Sequence, residues 1–444
     1  MTFVDLPGAV PGGGVVTPPP TTAVPSVPLT PSRAQGPVRF TGNGRAYLWL
    51  LIRGALLLAV TLGIYRFWLS TDVRRFLWVH TEIDGDSLEY TGTPFELLIG
   101  FLIAVAVLIP IYVGLFVLAL NLGVIGQFMG ILALPLLAFL GQFAVYRARR
   151  YRLTRTVFRG IRFHQGGSAL RFAVYAMFWW ILIVLTIGLA YPFAQAALER
   201  FKMKNTYYGN LRGRFEGSGF DLLFRGIAMW LLVMVPLVGS IAYASAAIDW
   251  SSIKSISGAT DFEELLRQFS AANPKLVLTL GTAMAIANLS ITFAILLFPV
   301  FQAVVMRWWI NGLRIGEVAI SSQLRVGTIY YSYVRFVGWS LLLGLIAIIV
   351  AIIGAVVMAV VGKSVAGQQS MEILGVVGAV LFYVVIMLGY STIYQATVKL
   401  TMWRHAVATV AIANLPALDN VVAEGVPSSA LGEGLADALN VGGI

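Results

Sequence analysis

Residues 97–146 read LLIGFLIAVAVLIPIYVGLFVLALNLGVIGQFMGILALPLLAFLGQFAVY, fifty positions without one charged side chain. About 20 apolar residues in a helix already cross a bilayer. The stretch is therefore long enough for two spans and a tight turn, which the sequence places near Asn121-Leu122-Gly123. Backbone N–H and C=O groups in hydrocarbon must be satisfied within their own segment, so such runs are helical. Pro110, Pro135, Pro236 and Pro299 inside the apolar runs are expected as kinks.

Outward from this stretch, residues 172–198, 226–248, 276–306, 336–362 and 373–398 are each uncharged and mostly apolar. Residues 46–65 are apolar except for Arg53. A plain count gives eight membrane segments. Composition agrees: 58% of the 444 residues are hydrophobic and 11% are charged, against roughly 25% charged in a typical soluble domain. An ordinary cytosolic enzyme, a disordered chain and a collagen-like fibre are excluded. The net charge of +11 comes from bases that flank the apolar runs. That is the pattern of cytoplasmic loops rather than of a nucleic-acid-binding face. The chain has no cysteine, which removes disulfides, cysteine zinc sites, iron–sulfur clusters and thiol nucleophiles.

Residues 1–37 hold nine of the eighteen prolines and a Gly-Gly-Gly run at 12–14. Proline fixes φ and removes donors, so this stretch is expected as a disordered cytoplasmic tail, with a polyproline docking role open. It lacks the charged start and apolar centre of a signal peptide.

The chain also repeats itself. A shift of 125 aligns 61–98 with 186–223 with nine identities, among them Thr61/Thr186, Gly63/Gly188, Arg75/Arg200 and Thr81/Thr206. A shift of 75 matches Arg74-Arg75-Phe76, Thr81 and Gly85 to Arg149-Arg150-Tyr151, Thr156 and Gly160. Arg200-Phe201 with Thr206 and Arg307-Trp308 with Gly316 are looser echoes. Each echo is an apolar helix, a basic-aromatic turn and a short polar stretch. Thr81–Tyr90 alternates around Asp84-Gly85, a hairpin turn signal. Val157–Phe163 and Leu211–Phe215 are expected to pair likewise, giving a small β-rich cytoplasmic layer under the helices.

Lys and Arg set orientation. The 147–171 loop has eight Arg and no acid, and 199–225 has six bases. The 249–275 loop has three bases against four acids and is the expected outer loop. Two basic loops flanking a single apolar run, 172–198, conflict with simple crossing. One solution is a run that dips in and returns, breaking at Thr186-Ile187-Gly188. Its partner 46–69 then breaks at Thr61-Leu62-Gly63, and Tyr65–Trp78 is an interfacial helix. That gives six full spans with both termini inside; the alternative keeps eight spans. The fold class is thus an all-α polytopic membrane protein with short cytoplasmic hairpins. Its expected parts are a tail (1–37), two membrane repeats (38–160 and 161–306), a C-terminal helix pair with its preceding loop (307–413) and a C-terminal tail (414–444).

Thr61-Leu-Gly-Ile-Tyr-Arg-Phe-Trp68, Arg74-Arg75 and Thr81-Glu-Ile-Asp-Gly-Asp-Ser-Leu-Glu-Tyr-Thr-Gly-Thr-Pro94 resemble the YjgN family of bacterial inner-membrane proteins. The run Leu431–Gly443 is similar to that family's ending. The resemblance covers about residues 38–444 and implies inner-membrane location and multi-pass architecture, with no substrate.

No catalytic, cofactor or metal motif stands out. His80, His164 and His405 lack ligand spacing, and no phosphate loop or nucleophile elbow occurs. Glu82, Asp84, Asp86 and Glu89 belong to a hairpin whose turn already accounts for Asp84. Asn121, Gln127, Gln142, Asn288 and Gln302 are expected to bond between helices. Arg53, inside an apolar segment with no acid in helical reach, either snorkels or meets an anionic headgroup or solute. Arg147, Arg149, Arg150, Arg152 and Arg155 serve as a positive-inside anchor or as an anionic-lipid contact. Gly63 and Gly188 are the helix-break candidates. The expected partners are membrane lipids, with anionic headgroups among them and no nucleic acid. The favoured role is transport or sensing of a small solute or lipid. A scaffold that binds proteins through its hairpins and proline-rich tail is the alternative. A lipid-directed enzyme using Asp84, Asp86 or His80 is a third.

Overall fold

The computed structural model describes residues 36–121, 124–248, 263, 267–268, 271, 275–365, 368–424 and 437. The proline-rich head up to residue 35, Leu122-Gly123, most of the 249–275 loop and all of the C-terminal run except Asp437 lie outside the described residues.

The described chain is mostly helical. Five of its helices contain stretches long and apolar enough to cross a membrane: Pro94–Leu118, Gly219–Ala246, Leu278–Gly312, Val326–Val360 and Ile373–Thr409. Their Leu, Ile and Val side chains point outward, as on Leu341, Ile348 and Val360. A water-facing surface could not carry so continuous an apolar cover.

The first short helix, α1 (Gly44–Val60), is followed by α2 (Arg66–Val79). Between them Leu62 and Gly63 take φ of +50° and +94°. The break is held by hydrogen bonds rather than by loss of structure. Gly63 N–H donates to the Leu58 carbonyl at 2.8 Å. Thr61 Oγ1 donates back to Leu57 O at 2.7 Å and accepts from Tyr65 N at 3.0 Å. The two helices then pack antiparallel. Tyr47 and Leu51 meet Val73 and Leu77 in one buried cluster, and a Cβ on Gly54 would lie 2.3 Å from Leu69.

Helices α3 (Pro94–Asn121) and α4 (Val124–Thr154) form a long pair. The short helical hairpin recurs in α5 (Ala169–Leu185) and α6 (Tyr191–Lys204). Ile187 and Gly188 there take φ of +51° and +89°, and Gly188 N–H reaches Ile183 O at 2.7 Å. Thr186 accepts from Ala190 N at 2.9 Å, as Thr61 does from Tyr65. Phe172 lies 5.6 Å from Phe201 across this hairpin. Two further long pairs follow. They are α7 (Gly219–Ala246) with α8 (Leu276–Gly312), and α9 (Val326–Val365) with α10 (Gln368–Tyr394). The last helix continues through a five-residue π-helical turn, Gln395–Lys399, into α11 (Leu400–Thr409). The helices run through Pro110, Pro135, Pro236 and Pro299.

All these pairs stand on one antiparallel sheet. Its strands are β1 (Gly36–Phe40), β2 (Thr81–Ile83), β3 (Asp86–Ser87), β4 (Glu89–Tyr90), β5 (Thr156–Phe158) and β6 (Ile161–Gln165). The remainder are β7 (Thr206–Tyr208), β8 (Leu211–Phe215), β9 (Leu313–Ile315), β10 (Val318–Ser322) and β11 (Val410–Ala413). The order is β3-β2-β1-β11-β10-β9-β8-β7-β6-β5-β4. The two end strands, β3 and β4, are halves of one stretch parted at Leu88, whose N–H bonds Thr81 O at 3.0 Å. The sheet order therefore closes through one stretch of chain, in which β3 pairs with β2 and β4 with β5.

The sequence reading finds hairpins at 81–90, 157–163 and 211–215 as separate units. The structure joins them to a fourth, β9–β10, and to a split pair made by β1 and β11 from the two ends of the fold. Short three- to five-residue strands with no alternation give little sequence signal, so these last pairs were illegible. Each helical pair leaves the ring from one strand pair and returns at the next.

After β11 the chain crosses the side of the ring where the hairpins turn. Asn414 Nδ2 meets Glu317 at 3.3 Å, Asp419 meets Arg159 at 3.1 Å, and Val422 O accepts from Asn210 N at 3.1 Å. Arg159 also holds Asp86 and Asp84, at 2.6 and 3.2 Å.

Candidate functional site

The hairpin echo fixes where charges gather. Thr81, Thr156 and Thr206 each open a hairpin, and each Oγ1 donates to the carbonyl four residues back, at 2.7, 2.9 and 2.8 Å. Seven residues before these threonines stand Arg74, Arg149 and Glu199. The shared register turns all three inward, where the helices meet the ring.

Arg74 is 2% exposed and Asp437 is 3% exposed. The Arg74 guanidinium bonds both Asp437 oxygens, Oδ1 at 3.1 Å, and the Tyr90 hydroxyl at 3.1 Å. Arg152 Nε approaches Asp437 Oδ1 at 3.5 Å. Beyond Arg152 lie Arg149, whose Nη2 reaches Met203 Sδ at 3.2 Å, and the paired Glu199 and Lys202. Trp309 Nε1 donates to Glu199 at 3.1 Å. A continuous charged layer thus runs from α2 through α4 to α6.

Burial would raise the Glu199 carboxyl, but Lys202 and Arg149 overcome it and hold it below the usual carboxylate range. Burial pushes the Tyr90 phenol up, against the pull of Arg74. Arg74 loses by desolvation and gains more from Asp437 and Tyr90, so its guanidinium is held charged.

This layer borders a cavity of about 340 Å³ beside the first helix break. Arg66, Arg74, Lys399 and Asp437 line its polar side together with Ser70 and Gln395. Leu58, Phe67 and Leu97 are among its apolar lining. Two of the polar groups, Gln395 and Lys399, come from the π-helical turn; such turns recur at functional sites. Three cations against one carboxylate leave the cavity net positive. A second cavity, about 280 Å³, lies beside the second break. Its Ile183, Tyr191, Pro192 and Leu222 correspond, at the 125 shift, to Leu58, Arg66, Phe67 and Leu97 of the first. It contains no charged residue, and Trp230 Nε1 satisfies the Ile187 carbonyl at 2.9 Å.

The sequence-derived candidates fall in several places. Arg53 faces Asp72 of α2 at 3.8 Å, an acid that proximity along one helix could not reveal. Arg155 pairs with Glu96 at 2.7 Å, and Tyr151 donates to the same carboxylate at 2.6 Å. Arg150 clamps the carbonyls of Gly166 and Gly167. Arg147 stacks on Phe143. Arg149 and Arg152 alone enter the charged layer. Gly63 and Gly188 sit in the two breaks.

His80 Nδ1 contacts Phe76 O at 2.7 Å, His164 stacks on Tyr207, and His405 lies on α11, so the three are not brought together. Burial lowers His164. Among the described residues no group of His, Asp or Glu is arranged to hold a metal ion. Asn121 bonds Val117 O at 2.7 Å within its own helix, while Gln302 accepts from Tyr333 of α9 at 2.5 Å. The side chain of Gln127 lies outside the described residues.

Arg66, Arg74, Glu199, Lys202, Lys399 and Asp437 were missed as site residues. Arg74 and Glu199 were marked only by their place before the repeated threonine. Asp437 lies in the terminal run that carried the family likeness.

Long outward-facing apolar helices over a closed strand ring, with a buried charged layer between, define a helical membrane protein. The chain belongs to the DUF898 family, bacterial proteins of unknown function, which it matches over residues 35–438. No curated protein and no solved structure matches it.

Proposed function

We propose that this is a multi-pass inner-membrane protein that binds a small anion or an anionic amphiphile in the cavity beside the first helix break, and moves or senses it. The observation that carries this reading is the cavity lining: Arg66, Arg74 and Lys399 against the single carboxylate Asp437, together with Leu58, Phe67 and Leu97. Broken helices built on internal repeats are a recurring transporter device. Here the two halves at residues 38–160 and 161–306 carry equivalent breaks, cavities and hairpins.

In this reading α3, α4, α7, α8, α9 and α10 cross the bilayer. The α1–α2 and α5–α6 hairpins re-enter from the sheet side, which is cytoplasmic by its excess of Lys and Arg. Both termini then lie inside. The YjgN likeness is part of the same proposal and rests on Thr61–Trp68 and Thr81–Pro94.

The test is binding of labelled inorganic phosphate, glycerol phosphate and short-chain phosphatidic acid to protein reconstituted in phosphatidylcholine vesicles. Saturable binding of at least one probe, weakened by Arg66→Gln and Lys399→Gln, is expected. Equal binding by the variants and the parent would sink the proposal. The scaffold alternative draws less support, because among the described strands all but β3 and β4 have partners on both sides, and those two are only two residues long.

A further inference from the structure

A third cavity, about 540 Å³, opens where α1, α9 and the α10–α11 helix meet. It lies on other residues than the proposed binding cavity, and its assignment does not depend on that reading. We infer that it is a seat for the phosphate headgroup of an anionic membrane lipid, gripped by Arg45, Arg335 and Arg404.

All three arginines line the cavity, and no carboxylate does. Each helix offers its arginine together with an apolar residue one turn away: Arg45 with Leu48, Arg335 with Trp339, Arg404 with Leu400. Residues three or four apart share a helix face. The chain direction orders each pair. Helix α1 leaves the ring from β1 and α9 leaves it from β10, so Arg45 and Arg335 lie nearer the ring than Leu48 and Trp339. Helix α11 descends into β11, so Arg404 also lies nearer the ring than Leu400. On each of the three helices the cation therefore lies on the ring side of its apolar partner.

A soluble anion would need only the cations. A lipid needs cations and apolar residues together, with the cations on the ring side of each helix, and Trp339 adds an indole of the kind that favours the interface.

Arg404 and Arg335 are held without being neutralised. Arg404 donates to Gly42 O at 3.2 Å and rests over the Phe40 ring, and Arg335 rests over Tyr331. Among the described residues none of the three has an ion-pair partner. Guanidinium forks match phosphate oxygens in pairs. Asn43, Thr397 and Thr401 add neutral polar groups to the lining.

The experiment is native mass spectrometry of the purified full chain, titrated with dioleoyl phosphatidylglycerol or dioleoyl phosphatidylcholine in detergent. The parent should retain phosphatidylglycerol over phosphatidylcholine. Arg45→Gln, Arg335→Gln and Arg404→Gln should each weaken retention about fivefold, the worth of one cation near an anionic surface. Arg171→Gln, a cation at the start of α5, should leave retention unchanged. Arg335→Lys should recover part of it and, by eluting as the parent does, separate loss of the site from loss of fold. Equal retention in the parent and the three glutamine variants would overturn the assignment. Displacement of the lipid by millimolar inorganic phosphate, abolished in those variants, would assign the site to a free anion and overturn the lipid.

Discussion

Arg74 and Asp437, 363 residues apart in sequence, share a two-point ion pair with side chains 3% and 1% exposed. The pair holds Asp437 against α2 beneath the first helix break. Removing one partner leaves the other charge buried, which costs about 3–5 kcal/mol, whereas replacing both by apolar groups costs far less. Arg74→Leu or Asp437→Leu should each lower the denaturation midpoint of the detergent-solubilised protein strongly. The double substitution should be milder than the sum. Additive losses would mean that the two side chains do not act as a pair.

The helix breaks make a backbone claim. Gly63 has φ of +94° and open space around it, so alanine there meets only conformational cost, about 1–2 kcal/mol. At Gly188, with φ of +89°, an added Cβ also lies 3.4 Å from Trp230 Nε1. Gly63→Ala should therefore cost no more than Gly188→Ala in a thermal melt. Thr61→Val and Thr186→Val each remove the acceptor of one break, a hydrogen bond worth about 1 kcal/mol. A stable Gly63→Ala protein would show that the break is not fixed by its backbone.

Acid should unfasten the charged layer. The Glu199 carboxyl is lower when folded than when unfolded, because Lys202 and Arg149 outweigh the burial that would raise it. A group of this sign contributes stability above its unfolded value, about 4.3 for glutamate, and loses it as pH falls through the folded value. Melting temperatures measured from pH 7 down to pH 3 should fall steeply at the acid end. Glu199→Gln should be less stable at pH 7 and show a shallower acid limb. Parallel profiles for parent and variant would remove Glu199 from the linkage.

The long apolar helices were legible because hydrocarbon allows almost no other reading of a fifty-residue uncharged run. Ring closure was not. β9, β10, β11 and β1 are short and are set against one another by helices that return from far along the chain, as in the pairing of Ala319 with Ala413. Thr81, Thr156 and Thr206 were visible as an echo, yet their use became clear only when each bonded its own helix end and turned Arg74, Arg149 and Glu199 inward. The arginine run from 147 to 155 reads in the sequence as one cluster, a positive-inside anchor or an anionic-lipid contact. A helix distributes such a run over all its faces. Arg149 and Arg152 consequently enter the core, Arg150 caps Gly166, and Arg155 meets Glu96.

Sidedness is the remaining test, and the sheet decides what to expect. Ser168 accepts from Arg171 N at 3.4 Å at the start of α5, three residues past β6, and Ser218 stands three residues past β8. β6 pairs with β7 and β7 with β8, so both serines lie on the ring side of the fold. Helices α5 and α6, between them, go out and come back. Asn121 lies 27 residues along α3 from Pro94, at the far end of a helix that leaves the ring. At about 1.5 Å per residue that distance is about 40 Å, enough to clear the hydrocarbon. The chain has no cysteine, so single substitutions give a clean label. In intact cells a membrane-impermeant maleimide should modify Asn121→Cys and spare both Ser168→Cys and Ser218→Cys. Opening the inner face should expose those two together. Labelling of Ser168→Cys and Ser218→Cys from opposite faces would make α5–α6 a crossing and end the re-entrant topology.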